Sequence, residues 1–324
     1  MHFSIVIPLY NKAEYISKTL SSVLAQTYPY FEVIVVDDGS TDNSLKVVKT
    51  LEDERIKIIT QKNKGVSAAR NTGINAAKYE LIAFLDADDW WDSMYLEIMV
   101  SLIQEYPNVS IYSSQSAIIH KGITIPTKNI LSHENKTDCF DYLQFHAKTG
   151  WYPLNSSCAI FRKNILQVSG TFDERISCCE DFDFFLRIGI YSKLAYIENG
   201  PLSFYNKDVE ATKRATGGIL PIQKHLLNYI DKYNEYYEKN EYLKYIVNQL
   251  ILNRLFLYQG MDNYSYIKKQ LLKGIDIKQF SLKHLLVYYV IPNDFFGFIL
   301  HINWKLKGIN SLNVFKVENS HIAE

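Results

Sequence analysis

Leu81-Ile82-Ala83-Phe84-Leu85-Asp86-Ala87-Asp88-Asp89 sets five apolar residues directly ahead of three carboxylates. A run this short reads as one buried strand. The carboxylates at its end repel one another, so water or a cation must compensate them. Oxygen ligands select hard ions such as Mg2+ or Mn2+, which complete their shells with substrate phosphates. For this segment taken alone, an acidic solvated turn with Asp capping the next helix is the plainer alternative.

The sequence around it repeats the same arrangement. Phe3–Ile7 is an apolar strand stopped by Pro8, followed by a helix with Ile16, Leu20, Val23 and Leu24 on one face. Phe31–Val36 is a second strand, ending in Asp37-Asp38-Gly39-Ser40-Thr41-Asp42, where Ser40, Thr41 or Asp42 can cap a helix carrying Leu45, Val47 and Val48. Ile56–Thr60 is a third strand, and Ser67 to Ala77 is a small, alanine-rich helix. Such alternation predicts an α/β fold with a parallel sheet covered by helices on both faces.

Ligands of open parallel sheets bind outside the carboxyl ends of the strands. Here those ends carry Pro8-Leu9-Tyr10-Asn11-Lys12, Asp37-Asp38-Gly39-Ser40, Gln61-Lys62-Asn63-Lys64-Gly65 and Asp86-Ala87-Asp88-Asp89. Neither the GxGxxG loop of dinucleotide-binding domains nor the GxxxxGK[ST] of P-loop enzymes is present. With no glycine loop to cradle phosphates, a metal on Asp86–Asp89 is the natural partner for a diphosphate. Tyr10 is placed to stack on a base, and Asp37 or Asp38 to accept hydrogen bonds from its edge.

Composition narrows the classes further. The 324 residues are 47% hydrophobic and 22% charged, enough for a sizeable core. Lys+Arg and Asp+Glu are both 35, so no global charge draws the chain to nucleic acid. Cys139, Cys158, Cys178 and Cys179 show neither CxxC nor Cys/His metal spacing, a usage that fits a reducing cytoplasm. Met1-His2-Phe3-Ser4-Ile5-Val6-Ile7 reads as a first strand, not a signal peptide. No apolar run approaches the roughly 20 residues that span a bilayer.

In combination and order, Pro8-x-Tyr10-Asn11, Val35-Val36-Asp37-Asp38-Gly39-Ser40-Thr41-Asp42, Asn63-Lys64-Gly65-Val66-Ser67-Ala68-Ala69-Arg70-Asn71-x-Gly73 and Phe84-Leu85-Asp86-Ala87-Asp88-Asp89 resemble glycosyltransferase family 2. The resemblance is strong over residues 3–100 and reaches a further motif near 180. It implies a GT-A fold, a Rossmann-like mixed sheet flanked by helices, and an inverting enzyme using nucleotide-diphospho-sugars with a divalent metal (Mn2+ or Mg2+). It further implies that Tyr10 and Asp38 hold the base, that Arg70 and the Lys62–Gly65 loop, with Asn63 and Gly65, approach the donor phosphates or sugar, and that Pro8, Asn11 and Ala87 belong to the same donor-binding set. Asp86-Ala87-Asp88 would be the DxD element, with Asp88 the metal ligand and Asp86 on the ribose or the metal.

The further motif is Cys179-Glu180-Asp181-Phe182-Asp183-Phe184-Phe185-Leu186-Arg187, preceded by Gly170-Thr171-Phe172-Asp173-Glu174. Phe182, Phe185, Leu186 and Ile190 are expected to form a helical apolar stripe, leaving Glu180 and Asp181 at the helix N-terminus. The dipole there favours an ionised carboxylate, the form that takes a proton from a sugar hydroxyl. By match to the family Asp181 is the expected base, with Glu180 the alternative base or its support, and helix capping as the plain alternative. Arg187 is expected to pair with one of these carboxylates or to serve structure alone. Trp151 and Tyr152 are candidate acceptor-stacking aromatics. Family members that polymerise processively carry QxxRW and transmembrane helices; neither is seen here, which points to single addition.

The domain reading is a catalytic domain over 1–205, with a nucleotide-sugar half (1–100) and an acceptor half (101–205), then a mainly helical region over 206–324. Helices are expected near 219–238, 240–260, 263–273 and 281–290. Phe295-Phe296-Gly297-Phe298-Ile299-Leu300-His301-Ile302-Asn303-Trp304-Lys305-Leu306-Lys307 is amphipathic, suited either to the membrane surface or to packing on protein. The expected partners are a UDP-sugar and a glycan or lipid-linked glycan acceptor, the expected location the cytoplasm or the inner membrane face, and the role cell-surface polysaccharide synthesis. A sugar-1-phosphate nucleotidyltransferase is the runner-up, but it should carry a GxGTR-like loop where this chain has Pro8-Leu9-Tyr10-Asn11. A silent nucleotide-sugar-binding scaffold is the alternative from another class.

Overall fold

The computed structural model describes residues 1–131, 136–209, 221–255 and 264–272. The chain divides into two compact units: Met1–Tyr142 with Tyr152–Leu226, and Leu143–Trp151 with Leu227–Glu324.

The first unit begins β1 (Phe3–Leu9), α1 (Ile16–Leu24), β2 (Phe31–Asp37), α2 (Ser44–Lys49), β3 (Ile56–Thr60), α3 (Val66–Ala76), β4 (Leu81–Phe84), β5 (Trp90–Trp91) and α4 (Tyr95–Glu105). Next come β6 (Ile111–Ser114), β7 (Ser116–His120), β8 (Ile123–Pro126), β9 (Thr137–Phe140) and α5 (Tyr142–Thr149), all but the first residue of α5 lying in the second unit. The first unit resumes with β10 (Ala159–Arg162), α6 (Leu166–Ser169), α7 (Glu180–Gly189), β11 (Leu194–Ile197) and β12 (Ser203–Asn206).

Eight strands form one sheet in the order β3-β2-β1-β4-β10-β6-β11-β9. β1 lies parallel to β2 and β4, and β2 parallel to β3; β10 runs antiparallel to both β4 and β6. The sheet is therefore mixed, as the resemblance implies. A second sheet, β5-β12-β7-β8, has four strands that the hydrophobic pattern did not reveal. Every residue of β1 is buried, the mark of a strand covered on both faces. α1 turns Ile16, Thr19, Leu20 and Val23 inward at helical spacing. The small residues of α3 let it lie close to β1: a Cβ on Gly73 would fall inside the Val6 side chain.

Two local expectations change. Pro8 does not stop β1, which runs on to Leu9 with Pro8 opposite Val36. The Leu9 carbonyl accepts from Asp38 N–H at 2.8 Å and the Val6 carbonyl from Leu85 N–H at 3.1 Å, so alternate residues face opposite neighbours. Pro8 shares the Val6 side, where pairing with β4 has ended, and its missing N–H breaks no ladder bond. The apolar stripe of α7 is centred on Phe184, with Phe185, Leu186 and Ile188 buried, while Phe182 and Ile190 are only half-buried. Phe184 is drawn in by stacking on Phe172 (centroids 4.1 Å apart) and by edge contacts with Phe84 and Phe161.

In the second unit α8 (Asn234–Tyr237) and α10 (Tyr264–Leu272) flank α9 (Glu241–Leu255), which buries Leu243, Ile246, Val247, Ile251 and Leu255. Gln144 donates to the Tyr242 hydroxyl at 2.9 Å. Among the described residues no helix is long and apolar enough to cross a membrane. The expected helix at 281–290 and the amphipathic stretch 295–307 lie outside the described residues.

Candidate active site

The parallel strands β1 to β4 bring their carboxyl ends to one edge of the sheet, and the following loops carry the acidic groups. Tyr10, the first residue past β1, is 45% exposed, as a ring available for stacking must be. Asn11 next to it is left-handed (φ 51°), and its Oδ1 accepts from the Thr41 N–H at 2.8 Å and the Asp42 N–H at 3.3 Å. Its amide oxygen thus fastens the β1 loop to the β2 loop. Asp38 is 3% exposed and organises a third loop: Oδ1 accepts from Gln61 Nε2 (2.7 Å) and Lys64 N–H (2.9 Å), and Oδ2 from Gly65 N–H (2.8 Å). A carboxylate has about four acceptor directions, so one remains on Oδ2. Gly65 sits at φ 92°, a conformation glycine adopts freely, and its carbonyl starts α3. Asn63, in the same loop, is exposed.

The three carboxylates after β4 have separate fates. Asp86 keeps 34% of its side chain exposed. The Asp88 side chain is 16% exposed and pairs with Lys12 Nζ at 2.5 Å. Burial and the neighbouring Asp86 push the Asp88 carboxyl up, with Lys12 opposing. Asp89 is 1% exposed and structural: Oδ2 accepts from Ser157 Oγ (2.5 Å) and Oδ1 from Asn206 N–H (2.9 Å), fastening the loop to β12. Burial holds its carboxyl well above the usual range. Ala87 is buried, and its carbonyl accepts from Thr19 Oγ1 at 2.9 Å, which fixes the backbone between Asp86 and Asp88.

α3 joins this edge to the second acidic motif. Ser67 Oγ donates to the Ile176 carbonyl at 2.9 Å; Asn71 Nδ2 donates to Phe172 O and to Glu174 Oε1, each at 3.0 Å. These bonds hold the Gly170–Glu174 turn against α3. Between them Arg70, 2% exposed, reaches Asp86 Oδ1 with Nη2 (2.8 Å) and Glu180 Oε1 with Nη1 (3.0 Å). Burial alone would lower the Arg70 pKa, but Asp86, Glu180 and Asp181 together raise it. One guanidinium thus serves carboxylates from both motifs.

Glu180 and Asp181 open α7, whose first turn also holds Asp183. Burial, reinforced by Asp181, pushes Glu180 up to about 7 against the pull of Arg70. Burial raises Asp181 as well, with Arg70 opposing. Arg187 pairs with neither: it grips Asp183 four residues earlier (Nη2 to Oδ2, 2.9 Å) and also donates to the carbonyls of Ser169 and Thr171. Asp183 is fully buried and needs that partner more than Glu180 and Asp181, which are only partly buried.

Tyr152 packs on Phe182 at 5.1 Å and on Tyr142 at 6.1 Å, beside the second motif. Trp151 belongs to the second unit, where its carbonyl contacts His146 Nδ1 at 2.8 Å. Sequence reasoning missed Lys12 as the partner of Asp88 and Ser157 as the anchor of the acidic loop. Neither lies within ten residues of the group it serves.

The arrangement has an exposed aromatic, acidic groups at one sheet edge, carboxylate oxygens that could hold a cation and a partly buried base candidate. The family model described as "Glycosyl transferase family 2" matches residues 4–170. Among curated relatives, glycosyltransferase GlyA of Streptococcus pneumoniae is 43% identical over 105 residues, covering 32% of this chain and 15% of GlyA. The Escherichia coli UDP-Glc:alpha-D-GlcNAc-diphosphoundecaprenol beta-1,3-glucosyltransferase WfgD is 40% identical over 122 residues, 36% of this chain and 48% of that protein. The chain thus spans about half or less of the length of these relatives. The crystal structure of S. aureus TarS 1–349 in complex with UDP-GlcNAc superposes with a TM-score of 0.60 at 20% identity, covering 91% of this chain and 77% of that one. That likeness bears on the fold.

Proposed function

The chain belongs to glycosyl transferase family 2, and on that premise we propose that it moves a sugar from a UDP-sugar to a hydroxyl of a glycan or lipid-linked glycan. The observation that carries the reading is Arg70, whose two terminal nitrogens tie Asp86 of the DxD element to Glu180 of the second motif. One buried cation thus holds the acidic loop of the proposed donor side next to the carboxylates that would take the proton of the nucleophile. WfgD, by its name, uses a UDP-sugar and a diphosphoundecaprenol-linked acceptor, and TarS was crystallised with UDP-GlcNAc; both support the choice of donor and the kind of acceptor.

Tyr10 stacks on the base, and the remaining acceptor direction of Asp38 takes a base N–H. Asp181 accepts the proton of the attacking hydroxyl as the new bond forms on the face opposite the departing nucleoside diphosphate, so the anomeric centre inverts. Glu180 and Arg70 orient it. The donor set fits a divalent cation: Asp86 is a third exposed, and Asp88 already holds a cationic Lys12 ammonium. Mn2+ or Mg2+ on Asp88 and Asp86 would neutralise charge on the leaving diphosphate. Addition is single, and the place of work is the cytoplasm or the inner membrane face, in cell-surface polysaccharide synthesis. Calorimetry of UDP with and without Mn2+ tests the donor site. Asp88→Asn should abolish the metal-dependent part of the affinity and leave the fold intact; unchanged Mn2+-dependent binding removes Asp88 as a ligand.

A further inference from the structure

Cys178, Cys179 and His225 bring two thiol sulfurs and an imidazole nitrogen within 4.8 Å of one another. None of the three takes part in the chemistry described above. We propose that they form a second metal site, distinct from the DxD element, for a thiophilic divalent cation such as Zn2+.

The chemistry of the donors selects the ion. Two thiolates and a neutral imidazole are soft-to-borderline ligands, suited to Zn2+ and poor for Mg2+, whereas Asp86 and Asp88 offer oxygen alone. The spacing selects the geometry. A tetrahedral zinc with sulfur at about 2.3 Å and nitrogen at about 2.0–2.1 Å has edges of about 3.8 Å (S to S) and about 3.6 Å (S to N). Two of the three observed separations match these edges, 3.9 Å from Cys178 Sγ to Cys179 Sγ and 3.7 Å from Cys179 Sγ to His225 Nε2, and the third lies within 4.8 Å, which a bound ion would draw in.

The backbone prepares this convergence. Consecutive side chains of an extended segment point to opposite faces. Here Cys179 is left-handed at φ 64°, which turns its thiol to the side of its neighbour. The segment carrying His225 is held in register by bonds from Ser177 N–H (2.8 Å) and Cys178 N–H (3.1 Å) to the Lys224 carbonyl, and from Leu226 N–H to the Cys178 carbonyl (3.2 Å). His225 is buried, and both cysteines are half-buried. Binding replaces the two thiol protons by the metal, with no change of oxidation state. The bound ion would staple the residue preceding Glu180 to the 222–226 segment, and so position the start of α7.

The test uses the full chain, reduced and stripped with a chelator, then titrated with Co2+. The expected result is one equivalent of tetrahedral cobalt with a thiolate-to-metal charge-transfer band, bleached by Zn2+. Loss of outer-shell partners alone costs about 10–100-fold in affinity, so Cys179→Ser or His225→Gln should weaken binding by more than about 100-fold. Cys139→Ser should leave the band unchanged. Cobalt at Asp86 and Asp88 gives no thiolate band, so failure at either site is read separately. A wild-type titration without the charge-transfer band overturns the proposal, as does a band that survives in folded Cys178→Ser/Cys179→Ser. Should that double variant not fold, the wild-type and His225→Gln spectra decide.

Discussion

Replacing Arg70 by Met removes a cation shared by the two acidic motifs and keeps most of the side-chain volume. Arg70 is 3% exposed, Glu180 13% and Asp86 34% by side chain. Breaking a buried pair costs about 3–5 kcal/mol, because the partner is left as an uncompensated charge. Asp86 can be rehydrated, so its share is that of a surface pair, about 0–1 kcal/mol. The loss is therefore set by Glu180, and about 3 kcal/mol is expected at a pH well above 7, where Glu180, pushed up to about 7 in the wild type, is ionised. For a unit of about 200 residues each kcal/mol moves Tm by about 2–4 °C, which gives a fall of about 6–12 °C. Adding Glu180→Gln in the same chain removes the orphaned charge and should restore at least half of that fall, a coupling read from a double-mutant cycle. A drop in Arg70→Met below about 1 kcal/mol, or a double variant no more stable than the single one, would refute the bridging role.

Lys12→Met should raise the affinity for Mn2+ alone by roughly tenfold or more, since a charge-assisted bond of about 1.5–3 kcal/mol no longer competes for Asp88; calorimetry showing equal or weaker binding contradicts this. Asp183→Ala strands a largely buried Arg187 and should lower stability by about 3–5 kcal/mol, seen as a fall in Tm with UDP affinity of the folded fraction unchanged. Gly73→Ala gains about 1 kcal/mol of helix propensity but forces a methyl into Val6, at about 1–3 kcal/mol, so the net effect is destabilising. Val6→Ala in the same chain should relieve it, and a Gly73→Ala protein more stable than the wild type would count against the packing argument.

The first hundred residues were legible because their strands read as apolar runs, each ending in a cluster of polar residues. β1 to β4 fall within two residues of the expected bounds. The rest depends on partners that local patterning does not encode. β10 is a four-residue strand whose place between β4 and β6 is fixed by pairings with Ile82 and Tyr112, far away in the chain. Asp86, Asp88 and Asp89 look equivalent as a run of letters, yet Ser157 and Asn206 withdraw Asp89 into the core. Arg187 follows the same rule: helical spacing offers it Asp183, and burial of Asp183 decides the pairing. Cys178 and Cys179 gave no metal spacing because their third partner, His225, stands 46 residues beyond Cys179.

The central claim is that a donor-binding edge and a base at the start of α7 act on one sugar. It is tested most directly by comparing UDP-sugar turnover, with Mn2+ and a glycan-lipid acceptor, in wild type and Asp181→Asn. In Asp181→Asn, UDP binding is expected within a few-fold of wild type and transfer slower by roughly 10²–10⁴-fold, the scale of a lost general base. Transfer at the wild-type rate in Asp181→Asn, or its loss in Glu180→Gln alone, would contradict it.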